Sequence, residues 1–159
     1  MIKLAEKQYV IFNLNNQEFG IDIMSVKEII TYKEPFNIPN SPDFIEGVLN
    51  YRGNVIPIVS LKKRFGMENI EVNEDARIIV ITYKEKEIGF IVDDASQTIR
   101  LEEEMIDDVP DLINSISRRF ITGVGKIDDE RLLIIINLEN VLTDEEKAEI
   151  EELEVQDEV

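Results

Sequence analysis

The chain has 159 residues, of which 43% are hydrophobic and 32% are charged, a composition typical of a soluble globular domain. It contains no cysteine and no histidine, which excludes disulfides, thiolate nucleophiles, Cys/His zinc sites and serine–histidine triads. Its 34 acidic residues outnumber 17 basic ones, giving a formal net charge of −17. Because such a surface repels phosphate backbones and anionic lipids, the sequence favours a protein partner over nucleic acid or a membrane.

Apolar residues in period-two patterns predict β-strands along most of the chain. Phe19, Ile21 and Ile23 alternate with small or polar residues, a pattern typical of a strand with one wet face. The runs 78–81 and 132–136 are continuously apolar and predict strands that are buried on both faces. The second run is the longest in the chain and is far too short to span a bilayer, so we expect a cytoplasmic protein.

The sequence repeats itself. Shifted by 69 positions, residues 10–30 resemble residues 79–99, and each copy predicts a hairpin. Shifted by 77 positions, residues 55–61 resemble residues 132–138, with Ser60 and Asn137 each placed to cap a short helix. The repeat predicts two similar β-units followed by an acidic helix and tail, which we place at residues 8–67, 75–142 and 143–159.

The third segment begins with Thr143 and Glu146, spaced as in a capping box at the start of a short helix. Residues 144–159 hold nine acids and one lysine, so they contribute −8 of the net charge of −17. A run of like charges is usually a solvated end without a specific partner.

Adjacent acids at Asp93-Asp94, Asp107-Asp108 and Asp128-Asp129 leave a carboxylate-dependent β-barrel hydrolase open as an alternative function. The loop spacings of acid proteases and calcium sites are missing around them, which favours solvated surface positions. A third alternative is a barrel that binds oligonucleotides, and the negative charge disfavours it.

The most informative segment is residues 45–59, where two apolar strands flank a tight turn at Arg52-Gly53-Asn54. Glycine and asparagine there are expected to supply the unusual backbone angles. The corresponding turn of the second unit is Asp128-Asp129-Glu130, so the hairpin does not require an arginine. Arginine is enriched at binding hot spots because its planar fork makes several oriented hydrogen bonds. We therefore predict that Arg52 contacts a partner.

Four motifs of the sequence are informative together: Phe19-Gly-Ile-Asp-Ile23, Val26-Lys-Glu-Ile29, Gly47-Val-Leu-Asn-Tyr-Arg-Gly53 and Val55-Ile-Pro-Ile-Val-Ser-Leu61. With them the chain resembles the CheW coupling proteins of bacterial chemotaxis, over about Gln8 to Leu142. The resemblance implies a mainly β fold of two similar five-stranded SH3-like barrels, with short helices and a C-terminal helix. It also implies a protein that is not an enzyme and has no cofactor and no metal.

The same resemblance implies an adaptor, recruited to membrane receptor clusters without inserting into the membrane. It would join the cytoplasmic tips of methyl-accepting chemotaxis receptors to the regulatory domain of the histidine kinase CheA. The receptor tip is a helical hairpin, so an apolar groove along the seam between the barrels is the expected docking site.

Roles carried over from the family form two groups, and two of the positions depart from the family pattern. Asp107 stands where an arginine can occur, and Leu112 replaces a phenylalanine. We expect Glu28 and Arg52 to pair across the barrel face, and Gly47 to act through its backbone. The positions matched to receptor contact are Glu28, Arg52, Ile78, Ala95 and Thr98, and those matched to kinase contact are Val26, Gly47, Asp107, Asp111 and Leu112.

Overall fold

The computed structural model describes residues 6–68, 72–109 and 119–149. Within these ranges the fold is mainly β with few helices, as the sequence predicts. The helical pieces are α1 (Leu61–Arg64), 3₁₀ turns at Ile23–Ser25, Glu103–Met105 and Leu138–Asn140, and a helix over 144–149. The strands are β1 (Glu6–Leu14), β2 (Gln17–Asp22), β3 (Glu28–Thr31), β4 (Ile45–Tyr51), β5 (Asn54–Ser60), β6 (Arg77–Tyr83), β7 (Lys86–Val92), β8 (Asp94–Glu102), β9 (Ile106–Asp107), β10 (Ile121–Lys126) and β11 (Leu132–Ile136).

The strands form two sheets, one for each of two SH3-like barrels. The six-stranded barrel has the order β8-β1-β2-β11-β10-β9, and the five-stranded barrel has the order β3-β6-β7-β5-β4. Neighbouring strands are antiparallel except for β2 with β11 and β5 with β7. The six-stranded barrel has one strand more than predicted because the two-residue β9 pairs with β10.

Each barrel combines strands from both halves of the sequence. The β1–β2 hairpin joins β8 to β11, whereas the equivalent β6–β7 hairpin joins β3 to β5. The two hairpins have the same turn: φ is 50° and 67° at Asn15 and Asn16, and 47° and 68° at Lys84 and Glu85. The repeat is therefore visible in the backbone. The ranges 8–67 and 75–142 stay predictions for the two repeated units of the sequence. They are not the boundaries of the two barrels, because each barrel contains strands from both ranges.

In the strands with continuous apolar runs, successive side chains point into two different cores. On β6, Ile78 and Val80 point into the five-stranded barrel, while Ile79 and Ile81 point into a core that both barrels share. All four are at most 1% exposed, so burial on both faces is confirmed for the run 78–81. The run 132–136 is buried only in part, because Leu132 at the start of β11 is 57% exposed and Ile134 is half-buried. The shared core seals the barrels together; its buried members are Val10, Phe12, Leu14, Phe19, Ile21, Ile45, Val59, Leu61, Ile79, Ile81, Ile88, Phe90, Val92, Ile136, Leu138, Val141 and Leu142.

The helix caps predicted from the sequence are present. The Ser60 hydroxyl accepts a hydrogen bond from the backbone N of Lys63 at 3.3 Å, and the Asn137 side chain accepts one from Glu139 N at 3.0 Å. Thr143 and Glu146 form the reciprocal capping box, with bonds of 2.8 and 3.0 Å. These caps satisfy N–H groups that the first turn of a helix leaves without partners.

Gly47 allows the chain before β4 to lie against that strand. Phe36 and Val48 exchange two backbone hydrogen bonds of 2.9 Å, which cover the outer edge of β4. Gly47 has φ of 144°, and a Cβ added there would lie 2.1 Å from the carbonyl oxygen of Phe36. Glycine is therefore needed both for the backbone conformation and for the close approach.

We expect Gly47→Ala to lower the free energy of unfolding by at least about 3 kcal/mol, because backbone strain and a clash add together. Gly53→Ala is the matched control: its φ is 85°, but nothing lies within 4 Å of the added Cβ. This control should cost only about 1 kcal/mol. Urea denaturation followed by circular dichroism measures both, and equal losses would contradict the role assigned to the Phe36 contact.

Candidate functional site

Three side chains bridge the two end strands of the five-stranded barrel. Glu28 begins β3, Tyr51 ends β4, and Arg52 follows Tyr51 in the turn. The Tyr51 hydroxyl donates to Glu28 Oε1 at 2.6 Å, and Arg52 Nε and Nη2 donate to the same oxygen at 3.0 and 2.8 Å. The expected pairing of Glu28 with Arg52 is confirmed. We call these three residues the Glu28 cluster.

The turn that carries Arg52 differs from the prediction in one respect. Arg52 and Gly53 take the positive φ angles, 51° and 85°, while Asn54 pairs with Tyr51 within the ladder. The Asn50 side chain accepts a hydrogen bond from Gly53 N at 3.1 Å and so braces the turn. A positive φ is uncommon for arginine, and here the bonds of its guanidinium to Glu28 hold it in place.

Two cations lie beside the ring of Tyr51, within the range of cation–π attraction. The guanidinium carbon of Arg52 lies 5.6 Å from the ring centroid, and Lys27 Nζ lies 5.8 Å from it. Lys27 also forms an ion pair with Glu87 of β7. Each of the two cations beside the ring is therefore paired with a carboxylate, and the four charges cancel.

The hydrogen bonds of the cluster fix its charges at neutral pH. The pKa of Glu28 is lowered by the bond from Tyr51 and then by the bonds from Arg52. The bond to Glu28 raises the pKa of Arg52, and burial raises the pKa of Tyr51, assisted by Glu28. Glu28 is thus a carboxylate, Tyr51 a neutral phenol and Arg52 a cation. The side chains of Arg52 and Glu28 remain 67% and 35% exposed, so both charges are accessible to a partner.

The other positions matched to receptor contact lie apart from this cluster. Ile78 is completely buried inside the five-stranded barrel, which limits it to supporting its neighbours. Ala95 and Thr98 are on β8, an end strand of the six-stranded barrel. Ala95 packs against the shared core, and Thr98 is exposed and accepts a hydrogen bond from Gln8 at 3.2 Å. Their receptor roles stay predictions.

The positions matched to kinase contact are also spread over the molecule. Val26 packs partly against the shared core, beside Met24, whose side chain is 88% exposed. Gly47 is buried, and Asp107 is exposed on β9, where it pairs with Lys126 Nζ at 3.3 Å. Two further positions, Asp111 and Leu112, lie outside the described residues.

An apolar groove of about 290 Å³ opens near one end of the shared core. The rings of Phe19, Phe65 and Phe120 follow one another along it, with centroids 6.2 and 5.0 Å apart. Glu28 and Arg52 do not line this groove. A helix docking in it and a contact at the Glu28 cluster are therefore two separate expectations. The full lining is Gln17, Phe19, Arg64, Phe65, Met67, Phe120 and Ile121.

Asp93 and Glu18, acids that a hydrolase would need as reactive groups, are instead paired with basic side chains. Asp93 pairs with Lys62 at 2.6 Å and accepts the backbone N–H of Asn15 at 2.7 Å, at the wall of a polar cavity of about 530 Å³. Glu18 lines the same cavity, and its hydrogen bond with Arg131 lowers its pKa, whereas a general acid needs a raised one. Across the described ranges, no group of three or more His, Cys, Asp or Glu side chains could hold a metal ion.

The sequence analysis misses two features of the structure. Tyr51 resembles an ordinary core residue in its strand, and a contact with a residue 23 positions away leaves no local signal. The ion pair of Arg131 with Glu18 joins the second unit to β2. Comparing the two hairpin turns could have found it, because Arg131 directly follows the turn Asp128-Asp129-Glu130.

Two barrels sealed by one apolar core, with an accessible charged cluster at the edge of one of them, define a protein-binding scaffold. The chain belongs to the CheW family: the model of the CheW-like domain matches residues 8–146. Proteins of this family are non-catalytic scaffolds of chemotaxis. Nowhere in the described part of the chain is a helix both long and apolar enough to cross a membrane.

Similar proteins cover most of the chain. Chemotaxis protein CheW of Klebsiella aerogenes is 36% identical over 142 residues, which are 89% of this chain and 85% of the relative. Chemotaxis protein CheW of Bacillus subtilis is 35% identical over 144 residues, 91% of each chain. The crystal structure of the scaffolding protein TtCheW from Thermoanaerobacter tengcongensis is similar with a TM-score of 0.76 and 36% identity, covering 86% of this chain and 87% of that one.

A titration of side-chain carboxyls by ¹³C NMR tests the electrostatics of the cluster. We expect Glu28 to titrate below the ordinary glutamate range and Arg52→Ala to raise its pKa, because two hydrogen bonds to the carboxylate are lost. Arg131→Ala is the crossed control, which should raise the pKa of Glu18 and leave Glu28 unchanged.

The lowered pKa of Glu28 also predicts how the stability of the fold depends on pH. A lowered pKa stabilises the fold above the ordinary carboxyl pKa, and this contribution disappears as the pH falls through the lowered value. The difference in melting temperature between the parent chain and Arg52→Ala should therefore be largest near neutral pH and vanish in acid. A difference that persists in acid would contradict the assignment.

Proposed function

We propose that this chain is an adaptor that couples the cytoplasmic tips of methyl-accepting chemotaxis receptors to the regulatory domain of the histidine kinase CheA. It catalyses no reaction, and it works in the cytoplasm, where it is recruited to membrane receptor clusters. The observation that carries this proposal is the Glu28 cluster. It pairs a positioned arginine with a carboxylate on an exposed edge, at positions that match receptor contacts of the family.

The geometry supports a contact role for Arg52 in addition to its role in the barrel. Arg52 uses Nε and Nη2 on Glu28, and its side chain is still 67% exposed. Its third nitrogen, Nη1, is not used in the bonds to Glu28. A guanidinium held by one carboxylate loses little further conformational freedom when it binds a partner, and such arginines are frequent at binding hot spots.

The shared core supports the coupling part of the proposal. It contains side chains from both barrels, so surfaces on the two barrels keep a fixed relation to each other. The receptor-matched Arg52 lies on the five-stranded barrel, and the kinase-matched Asp107 lies on the last strand of the six-stranded barrel. A rigid body with two docking surfaces raises the local concentration of one partner near the other without new chemistry.

We expect Arg52→Ala to bind a labelled receptor hairpin about thirtyfold more weakly or worse, as is typical of a truncated hot spot. Its fold should be kept, because the substitution removes an exposed side chain. Fluorescence anisotropy measures the affinity, and circular dichroism measures the melting temperature.

The matched control is Arg131→Ala. This arginine is next to the hairpin turn 128–130 and also bonds a glutamate through Nε and Nη2, but it lies on the other barrel. It should bind the receptor hairpin like the parent chain. Both variants should still capture the regulatory domain of CheA in a pull-down. The proposal fails if Arg52→Ala binds receptor normally, or if both arginine variants lose binding equally.

A further inference from the structure

We propose that Tyr51 is a positioning residue of the receptor-binding surface, which holds Glu28 so that its second oxygen can accept a hydrogen bond from an amide N–H of the receptor. The inference rests on the proposed function and adds to it the chemistry of the group that is recognised. Tyr51 lies within the motif Gly47-Val-Leu-Asn-Tyr-Arg-Gly53, but it is not among the positions matched to receptor or kinase contact.

The distribution of hydrogen bonds on Glu28 is uneven. Oε1 accepts all three, from Tyr51 Oη and from two nitrogens of Arg52. Oε2 accepts none from the described part of the chain, although an ionised carboxylate oxygen has the capacity for about two. Because the Glu28 side chain is 35% exposed, this open acceptor can be reached by a partner.

Tyr51 is the rigid donor of the cluster. It is only 6% exposed, and its ring packs with Leu49 and Ile56 in the interior of the five-stranded barrel. The barrel therefore fixes the position of its hydroxyl. Arg52, by contrast, has a long and largely exposed side chain. Of the two donors, Tyr51 is the one that can define where the Glu28 carboxylate points before a partner arrives, and such preorganisation lowers the cost of binding.

The surroundings select a neutral donor. Each cation beside the Tyr51 ring is already paired with a carboxylate, Arg52 with Glu28 and Lys27 with Glu87, so a third cation beside Oε2 would lose hydration without a net negative charge to offset that cost. A carboxylate on the partner would be repelled by Oε2 itself. An amide N–H, from the backbone or from an Asn or Gln side chain, matches the open acceptor without either cost.

The test is Tyr51→Phe, which keeps the ring and removes the hydroxyl. Tyr32→Phe is the matched control, since Tyr32 packs against the same barrel core while its hydroxyl has no hydrogen bond to the described residues. Tyr51→Phe should bind the receptor hairpin about tenfold more weakly, because Glu28 loses the donor that positions its carboxylate before the partner arrives. Tyr32→Phe should bind like the parent chain, and both should capture the kinase domain normally.

A double-mutant cycle with Glu28→Gln separates positioning from structural support. If Tyr51 acts through Glu28, removing its hydroxyl in the Glu28→Gln background should change the affinity by no more than about twofold. The pH profile gives a second readout. Affinity should be lost at a higher pH in Tyr51→Phe than in the parent chain, because the hydroxyl favours the ionised carboxylate. If Tyr51 had only a structural role, the loss of affinity would be the same in the Glu28→Gln background, and the pH at which affinity is lost would not change.

The outcomes are distinguishable. If Arg52→Ala loses receptor binding but Tyr51→Phe keeps the parent affinity and pH profile, this inference is overturned and the proposed function stands. If Arg52→Ala binds normally, the proposed function fails. If Tyr51→Phe does not fold, 3,5-difluorotyrosine at position 51 replaces it. The fluorinated phenol loses its proton at a lower pH than tyrosine, so affinity should then fall as the phenol ionises, and a pH-independent affinity would overturn the inference.

Discussion

The shared core constrains every other part of this molecule. Strands such as β6 place successive side chains in different cores, Ile78 and Val80 in one barrel and Ile79 and Ile81 between the barrels. Burying a branched aliphatic side chain contributes about 1.5–3 kcal/mol, so the contacts between the barrels are as strong as those within them. Neither sheet can shift without exposing apolar side chains to water. The surfaces on the two barrels are therefore presented in one fixed arrangement, as a scaffold requires.

The Glu28 cluster connects this rigid frame to the surface. The end strands of the six-stranded barrel, β8 and β9, are joined directly by the turn Glu103–Met105. In the five-stranded barrel the end strands β3 and β4 are instead bridged by side chains, through the hydrogen bonds of Tyr51 and Arg52 to Glu28. Groups that bridge the strands of one barrel are thus also those that match receptor contacts. A partner that engages Arg52 or Glu28 therefore acts directly on the contact between the two end strands.

Local patterns in the sequence predict much of the fold. Alternating and continuous apolar runs locate the strands, Asn15-Asn16 marks a hairpin turn, and the spacing of Thr143 and Glu146 marks a helix start. The exchange of hairpins between the barrels could not be predicted. The β1–β2 and β6–β7 hairpins have the same apolar pattern, and this pattern does not tell which sheet each hairpin joins. The apolar run 78–81 predicts the burial of Ile78, whereas the family match places a receptor contact there, because such a match carries no information about where a side chain points. Tyr51 gave no signal since its partner is distant in sequence.

The hairpin exchange also bears on how such a protein can change over generations. Because β1–β2 completes one barrel and β6–β7 completes the other, each half of the chain needs strands that the other half encodes. Deleting either copy of the repeat would leave both barrels unfinished, so neither copy can serve as an independent domain. Loss of one half is therefore excluded for this architecture, whereas fusion of the intact chain to other domains leaves both barrels complete.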